Sequence, residues 1–242
     1  MAALPRLPEY PVGTRFPQLV SNTINSGRCM TERPEIPLAP LVDARTIVAL
    51  HDHMTEEWHR LPALNVPIDD PTADFITAVR AQHHANFELW HLEDEARSPY
   101  ALDREVMLTK RSIDRVNQRR NDLMELCDVM LLEALGAHNL PASSAPLHSE
   151  TPGLILDRLS ILGLKIFHTR EQTRRPDALR VHILRNKERL ALLEEQRSDL
   201  AECLDRLWEQ VIHGQRRFKL YRQLKMYNDP SLNPVVYRKP SA

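Results

Sequence analysis

Residues 86–97, NFELWHLEDEAR, place an amide, an indole, an imidazole, four carboxylates and a guanidinium within twelve positions. The stretch has a helical pattern. Asn86, Trp90, Glu93 and Arg97 fall at offsets 0, 4, 7 and 11, which puts all four on one side. A second line, Ala85, Leu89, Leu92 and Ala96, is apolar and lies about a third of a turn away. Imidazole and carboxylate side chains can exchange protons with a bound molecule, so His91, Glu93 and Asp94 are candidates for general acid–base catalysis. The competing reading of His91 is a hydrogen-bonded structural histidine.

Two other helical patterns carry polar residues where core is expected. In residues 110–135, Asp114, Asn117 and Asn121 run beside an apolar stripe that Arg120 interrupts, and the second half reads as plain core. Residues 152–172 are apolar on most sides, the mark of a buried helix. Yet Asp157, Lys165 and His168 share one side of it. Buried charges must be paired or hydrogen-bonded, because desolvation alone costs several kcal/mol. The three polar lines therefore read either as an ion-pair network or as a pocket inside a bundle. The amides and Trp90 favour a pocket for a polar, multifunctional small molecule. Its expected lining is Asn86, Trp90, Arg97, Asp114, Asn117, Arg120, Asn121, Asp157, Lys165 and His168.

Glu56-x-x-His59 and Glu88-x-x-His91 both match the Glu-x-x-His element of carboxylate-bridged di-iron bundles. His59 lies just before Pro62, however, and no bridging glutamates are evident on other helices. The expectation is no metal and no organic cofactor. A carboxylate/His metal enzyme is the second alternative. No glycine-rich phosphate loop, nucleotide fingerprint or Ser-His-Asp order is present.

The elements that must position these residues are helical almost throughout. Seven of the 18 prolines lie in residues 1–40, which excludes a long helix and suggests an extended arm. Residues 41–242 then read as a single domain. Its helices are expected over 41–59, 71–97 with Asp70 as N-cap, 102–135 with Gly136 as C-cap, and 152–172 capped by Thr151. A long fifth helix from Pro176 could continue to about Tyr227. Its stripe, Ile183, Asn186, Leu190, Leu193, Arg197, Leu200, Leu204, Leu207, Val211, Gly214 and beyond, has coiled-coil spacing, so pairing of two chains along it is an option. The tail KMYNDPSLNP should pack back on the body, with Tyr227 as a further contact to the bound molecule. The fold class is all-α: about five main helices with a long C-terminal helix.

At 242 residues with a net charge of -1, the chain gives no reason to expect nucleic acid or an anionic membrane as partner. No apolar run approaches the roughly 20 residues of a membrane span. Cys29, Cys127 and Cys203 form no metal pattern. The latter two fall on apolar stripes as buried free thiols, which suits a cytoplasmic protein.

The segments HDHMTEEWH (51–59), NFELWHLEDEAR (86–97), KRSIDRVNQRRND (110–122), SETPGLILDRLSILGLKIFH (149–168), EQRSDL (195–200) and KMYNDPSLNP (225–234) together resemble the bacterial domain of unknown function 4254 family. The resemblance spans roughly residues 40–237. It implies a helical protein from a family with members beside cell-envelope sugar genes and in specialised-metabolite pathways. A further likeness, to aziridine-forming proteins of azinomycin-type pathways, implies displacement of a leaving group by an amine of the same molecule. The expected function is a cytoplasmic, cofactor-independent biosynthetic enzyme acting on a polar amine- or sugar-containing metabolite. The alternative is a non-catalytic helical scaffold or partner subunit, working as a homo- or heterodimer.

Overall fold

A computed structural model describes residues 41–61, 69–222 and 231–232. The proline-rich arm, Cys29 and Tyr227 lie outside them. Among the described residues the fold is all-α: α1 Ala44–Arg60, α2 Phe75–Ala96, α3 Asp103–Gly136, α4 Pro152–Arg174 and α5 Arg180–Ile212. No helix among the described residues is long and apolar enough to cross a membrane.

Local chemistry explains the boundaries. Asp43 caps α1 by accepting from the backbone N–H groups of Arg45 and Thr46. Asp74, not Asp70, caps α2, accepting from Thr77 N at 2.8 Å. Asp70 instead folds its carboxylate onto Thr72 N at 2.9 Å, an Asx-type turn that delays the helix by one turn. Thr151 accepts from Leu154 N, with Pro152 at the first position of α4 as expected. α5 stops well short of Tyr227. His213 caps it, and Gly214 takes φ 68°, a left-handed conformation that glycine adopts at little steric cost.

α4 is the central element and packs against each of the other four helices, which explains why it is apolar on most sides. α2 lies chiefly on α3, and α5 on α4. Gly153 lets α3 and α4 approach closely: a Cβ there would stand 2.5 Å from the Met124 carbonyl oxygen. The main apolar core gathers Ile47, Val79, Leu131, Leu156, Leu204 and Trp208 at one end of the bundle. Phe218, beyond α5, also joins it. Residues 215–218 are held there by His148 N donating to Arg217 O at 2.7 Å and Arg217 N to Pro146 O at 3.1 Å. Toward the other end, Trp58, Phe87 and Leu164 form a smaller aromatic cluster with Met54 and Trp90.

Two further sequence expectations fail. Cys203 is exposed, although Cys127 is buried. The second half of α3 is not plain core: it buries Asp128, whose carboxylate accepts from Gly153 N at 2.7 Å. Burial pushes its pKa up to about 6, against hydrogen bonds from Thr151 and Gly153 that favour the charged form.

Candidate functional site

The polar lines of α2 and α3 meet in part, and α4 gives their common space an apolar wall. Between these helices lies an open cleft of about 410 Å³ lined by Asn86, Trp90, Glu93, Asp94, Arg97, Asn117 and Arg120, with Leu89, Ile113, Ile161 and Leu164 as apolar wall. Glu93 and Arg97 pair at 2.8 Å along the rim. Both are substantially exposed, so water weakens this contact. Deeper in, Arg120 Nε stands 3.6 Å from an Asp157 carboxylate oxygen and has no hydrogen-bond partner.

Asp157 belongs to a buried network below the cleft. Its Oδ1 accepts from Gln82 Nε2 at 2.5 Å and from Asn86 Nδ2 at 3.0 Å. Asn86 also donates to Ser160 Oγ at 2.9 Å, and Ser160 Oγ lies 2.7 Å from His83 Nδ1. His83 Nε2 stands 3.0 Å from the His51 carbonyl oxygen and 2.9 Å from Thr55 Oγ1. A carbonyl only accepts, so Nε2 carries the proton and Nδ1 accepts from Ser160. The chain of donors and acceptors is then consistent from α1 to Asp157 with His83 neutral. Burial holds the His83 pKa well below its ordinary value. It does the same to His51, to about 3, and to His84, to about 4, with Arg197 and Arg119 respectively adding to the effect.

Several expected lining residues fall elsewhere. Asp114 points to solvent and pairs with Lys110 at 2.8 Å, one turn back on its own helix. Lys165 is exposed. Both miss the cleft because a long helix offers more polar positions than one neighbour can cover. Asn121 is buried but outside the cleft, and Asp157 lies behind its floor.

His91 and His168 are set behind the cleft wall. The His168 ring stacks on Trp90, with centroids 4.6 Å apart and planes 9° apart. His59 from α1 joins them, so one ring nitrogen from each of His59, His91 and His168 lies within 4.8 Å of the other two. Burial lowers the pKa of His91 and of His168, and their neighbouring histidines add to the shift. The reading of His59 as insecure beside Pro62 is corrected. Its Nδ1 is fixed to the Thr55 carbonyl oxygen at 2.7 Å, and Phe167 stacks on its ring at 4.2 Å. The carboxylates of both Glu-x-x-His elements turn away: Glu56 pairs with Arg60, and Glu88 with Arg119.

Sequence reasoning missed Gln82, His83 and Ser160, which fall in stretches read as apolar or unremarkable. The echo of EEWH at 56–59 and ELWH at 88–91 was the available signal for the histidine group, since it marks two histidines that the fold brings together. A larger cleft of about 660 Å³ lies near the apolar core, lined by Val42, Ile47, Ile76, Asp205 and Trp208 among others. Two of its acids are engaged, Asp43 as the cap of α1 and Asp205 with Ala44 N at 2.8 Å.

No curated protein and no solved structure matches the chain. A family model described as a protein of unknown function, DUF4254, matches residues 76–220. That span is more than half of the chain, and holds α3, α4, α5 and all of α2 but its first residue. The helices that build the cleft are thus those of the DUF4254 family, to which this chain belongs.

Proposed function

We propose that the cleft between α2, α3 and α4 binds a small metabolite carrying both an ammonium and an anionic group, and that the chain is a biosynthetic enzyme acting on it. The observation that carries this reading is Arg120. Its Nε is buried without a hydrogen-bond partner at the inner end of a cleft whose rim holds the carboxylates of Glu93 and Asp94. A molecule with a cationic end outward and an anionic end inward complements that order of charge. Asn86, Asn117 and Trp90 supply the directional and flat contacts usual in ligand sites.

The reaction that suits this arrangement is an intramolecular displacement, in keeping with the likeness to aziridine-forming proteins. The amine nitrogen forms a bond to a carbon as the bond from that carbon to an anionic leaving group breaks. Glu93 takes the amine proton, and Arg120 receives the anion. Most of the acceleration would come from holding the reacting atoms in line. The buried Cys127 thiol suits work in a reducing cytoplasm.

A second reading draws on α5, whose first half leaves Val181, Leu184 and Leu192 exposed beside Leu179. A second helical chain covering them would make this protein a partner subunit. The two readings separate in one experiment. Melting temperature is followed with amino acids, diamines, amino sugars and sugar phosphates, on the natural chain and on Asn117→Ala. The enzyme reading expects a compound of this set to raise the melting temperature of the natural chain, and that shift to be lost in Asn117→Ala. No shift with any of them, together with a stable dimer by sedimentation, favours the partner subunit.

A further inference from the structure

We propose that His59, His91 and His168 form a binding site for one divalent transition-metal ion of the zinc class, with a fourth position open to water or to a bound molecule. The inference stands apart from the cleft reading. Three observations carry it.

The first is convergence. Helices α1, α2 and α4 each contribute one histidine, and one ring nitrogen from each lies within 4.8 Å of the other two. Tetrahedral zinc with nitrogens at about 2.0–2.1 Å holds them about 3.4 Å apart, so each ring need move by less than about 1 Å. The second is that the Nε2 atoms of all three rings are buried and have no hydrogen-bond partner. Buried polar nitrogens are almost always satisfied, and three orphans on one cluster require an explanation.

The third is the outer contacts. His59 Nδ1 donates to the Thr55 carbonyl oxygen at 2.7 Å, and His168 Nδ1 donates to Glu171 Oε2 at 3.0 Å. Carbonyl and carboxylate oxygens only accept, so both Nδ1 atoms carry protons and both Nε2 atoms present lone pairs. This is the arrangement by which metal-binding histidines are oriented and made more basic. The rings are also clamped, His59 by Phe167, His168 by Trp90 and His91 by Phe87. The cluster uses neither glutamate of the Glu-x-x-His elements, so it is an all-nitrogen site and not a carboxylate-bridged one. Imidazole donors favour zinc, cobalt, nickel or copper over magnesium or calcium. Three protein ligands leave a tetrahedral ion one free position.

The test uses the full chain without a polyhistidine tag, stripped with a chelator and titrated with Zn²⁺ or Co²⁺. The expected result is one ion per chain, with the intense visible absorption of four-coordinate cobalt. His59→Ala and His168→Ala should each weaken zinc binding at least 100-fold. Glu171→Gln should weaken it about 10- to 100-fold. Zinc binding equally well to the His59→Ala chain would overturn the site. So would the weak absorption of six-coordinate cobalt in the natural chain. If an alanine variant fails to fold by circular dichroism, the cobalt spectrum and Glu171→Gln, a half-exposed residue, decide the matter.

Discussion

His83 and His91 lie on the same helix, eight residues and about 12 Å apart, and their surroundings are opposites. Both ring nitrogens of His83 are engaged, and its bonds run on through Ser160 and Asn86 to Asp157. At His91 the Nε2 atom is buried without a partner, as are those of His59 and His168 beside it. A polar layer that closes on itself contributes stability and uniqueness to a bundle. One that leaves donors and acceptors open costs free energy in the isolated chain and is retained for what it binds. Gln82 Oε1 is one exception in the closed layer, and His51 is another, since neither of its ring nitrogens has a partner. It stacks on His83 with centroids 4.4 Å apart, but no second unpaired ring converges on it.

The strongest way to sharpen the contrast is acid. His51, His83 and His84 are held neutral by burial, with folded pKa values below the unfolded 6.5. Their contribution to stability is fully present above pH 6.5 and is lost as pH falls toward their folded values. At pH 4.5 His51 and His84 alone remove about 5 kcal/mol, at 1.36 kcal/mol per unit over about two units each. Asp128 acts in the other direction. Its folded pKa, about 6, exceeds the unfolded 3.8, so its burial penalty eases as pH falls through that window and returns about 2 kcal/mol. Urea unfolding at pH 7.0 and 4.5 should show a net loss of several kcal/mol. A curve flat across that range would mean that the closed layer does not exclude water.

The fold was legible because its determinants are local. Periodicity, Thr151 with Pro152, and the low glycine content fix helices without reference to partners. Errors arose where two nearby residues offered the same local service, as Asp70 and Asp74 did as caps. They also arose where a helix's far end needed a neighbour to decide its exposure, as at Cys203. The site was half legible. Asn86, Trp90, Glu93, Asn117 and Arg120 share faces that could be read by counting. Lys165 and Asp114 passed the same count and still point outward, since a helical offset gives the angle around an axis but not which neighbour stands there. His59 was marked by its Glu-x-x-His spacing but could not be joined to His91 and His168, because that depends on α1 meeting α2 and α4, a long-range fact.

Asp157 tests the closed layer from its acidic end. Asp157→Leu would leave Gln82 Nε2 without its acceptor, Asn86 with Ser160 alone, and Arg120, only 26% exposed, without the carboxylate 3.6 Å away. Removing one member of a buried ionic group typically costs about 3 kcal/mol or more. Chemical denaturation should show a loss of that order, with helical content retained. A loss below about 1 kcal/mol would show that these groups find water instead, and the layer would no longer count as closed.

The smallest effect on stability is expected at the open rim, where the effect on binding should be largest. Glu93 meets Arg97 one turn along the same helix at 2.8 Å, with the two side chains 42% and 69% exposed. Exposed pairs at this spacing contribute about 0.3–0.5 kcal/mol. Glu93→Gln removes the charge, keeps the shape and strands no buried cation, because Arg97 can turn to water or to Asp94, 3.9 Å away. Its melting temperature should therefore stay within about 2 °C of the natural chain, the shift that about 0.5 kcal/mol produces in a domain of this size. Affinity for a bound amine should nevertheless fall, since the cleft loses one of the two carboxylates lining its rim. The two measurements must diverge for the comparison to hold. A fall of several degrees in melting temperature with unchanged binding would make Glu93 a structural residue, and the rim of the cleft would then resemble the layer around His83.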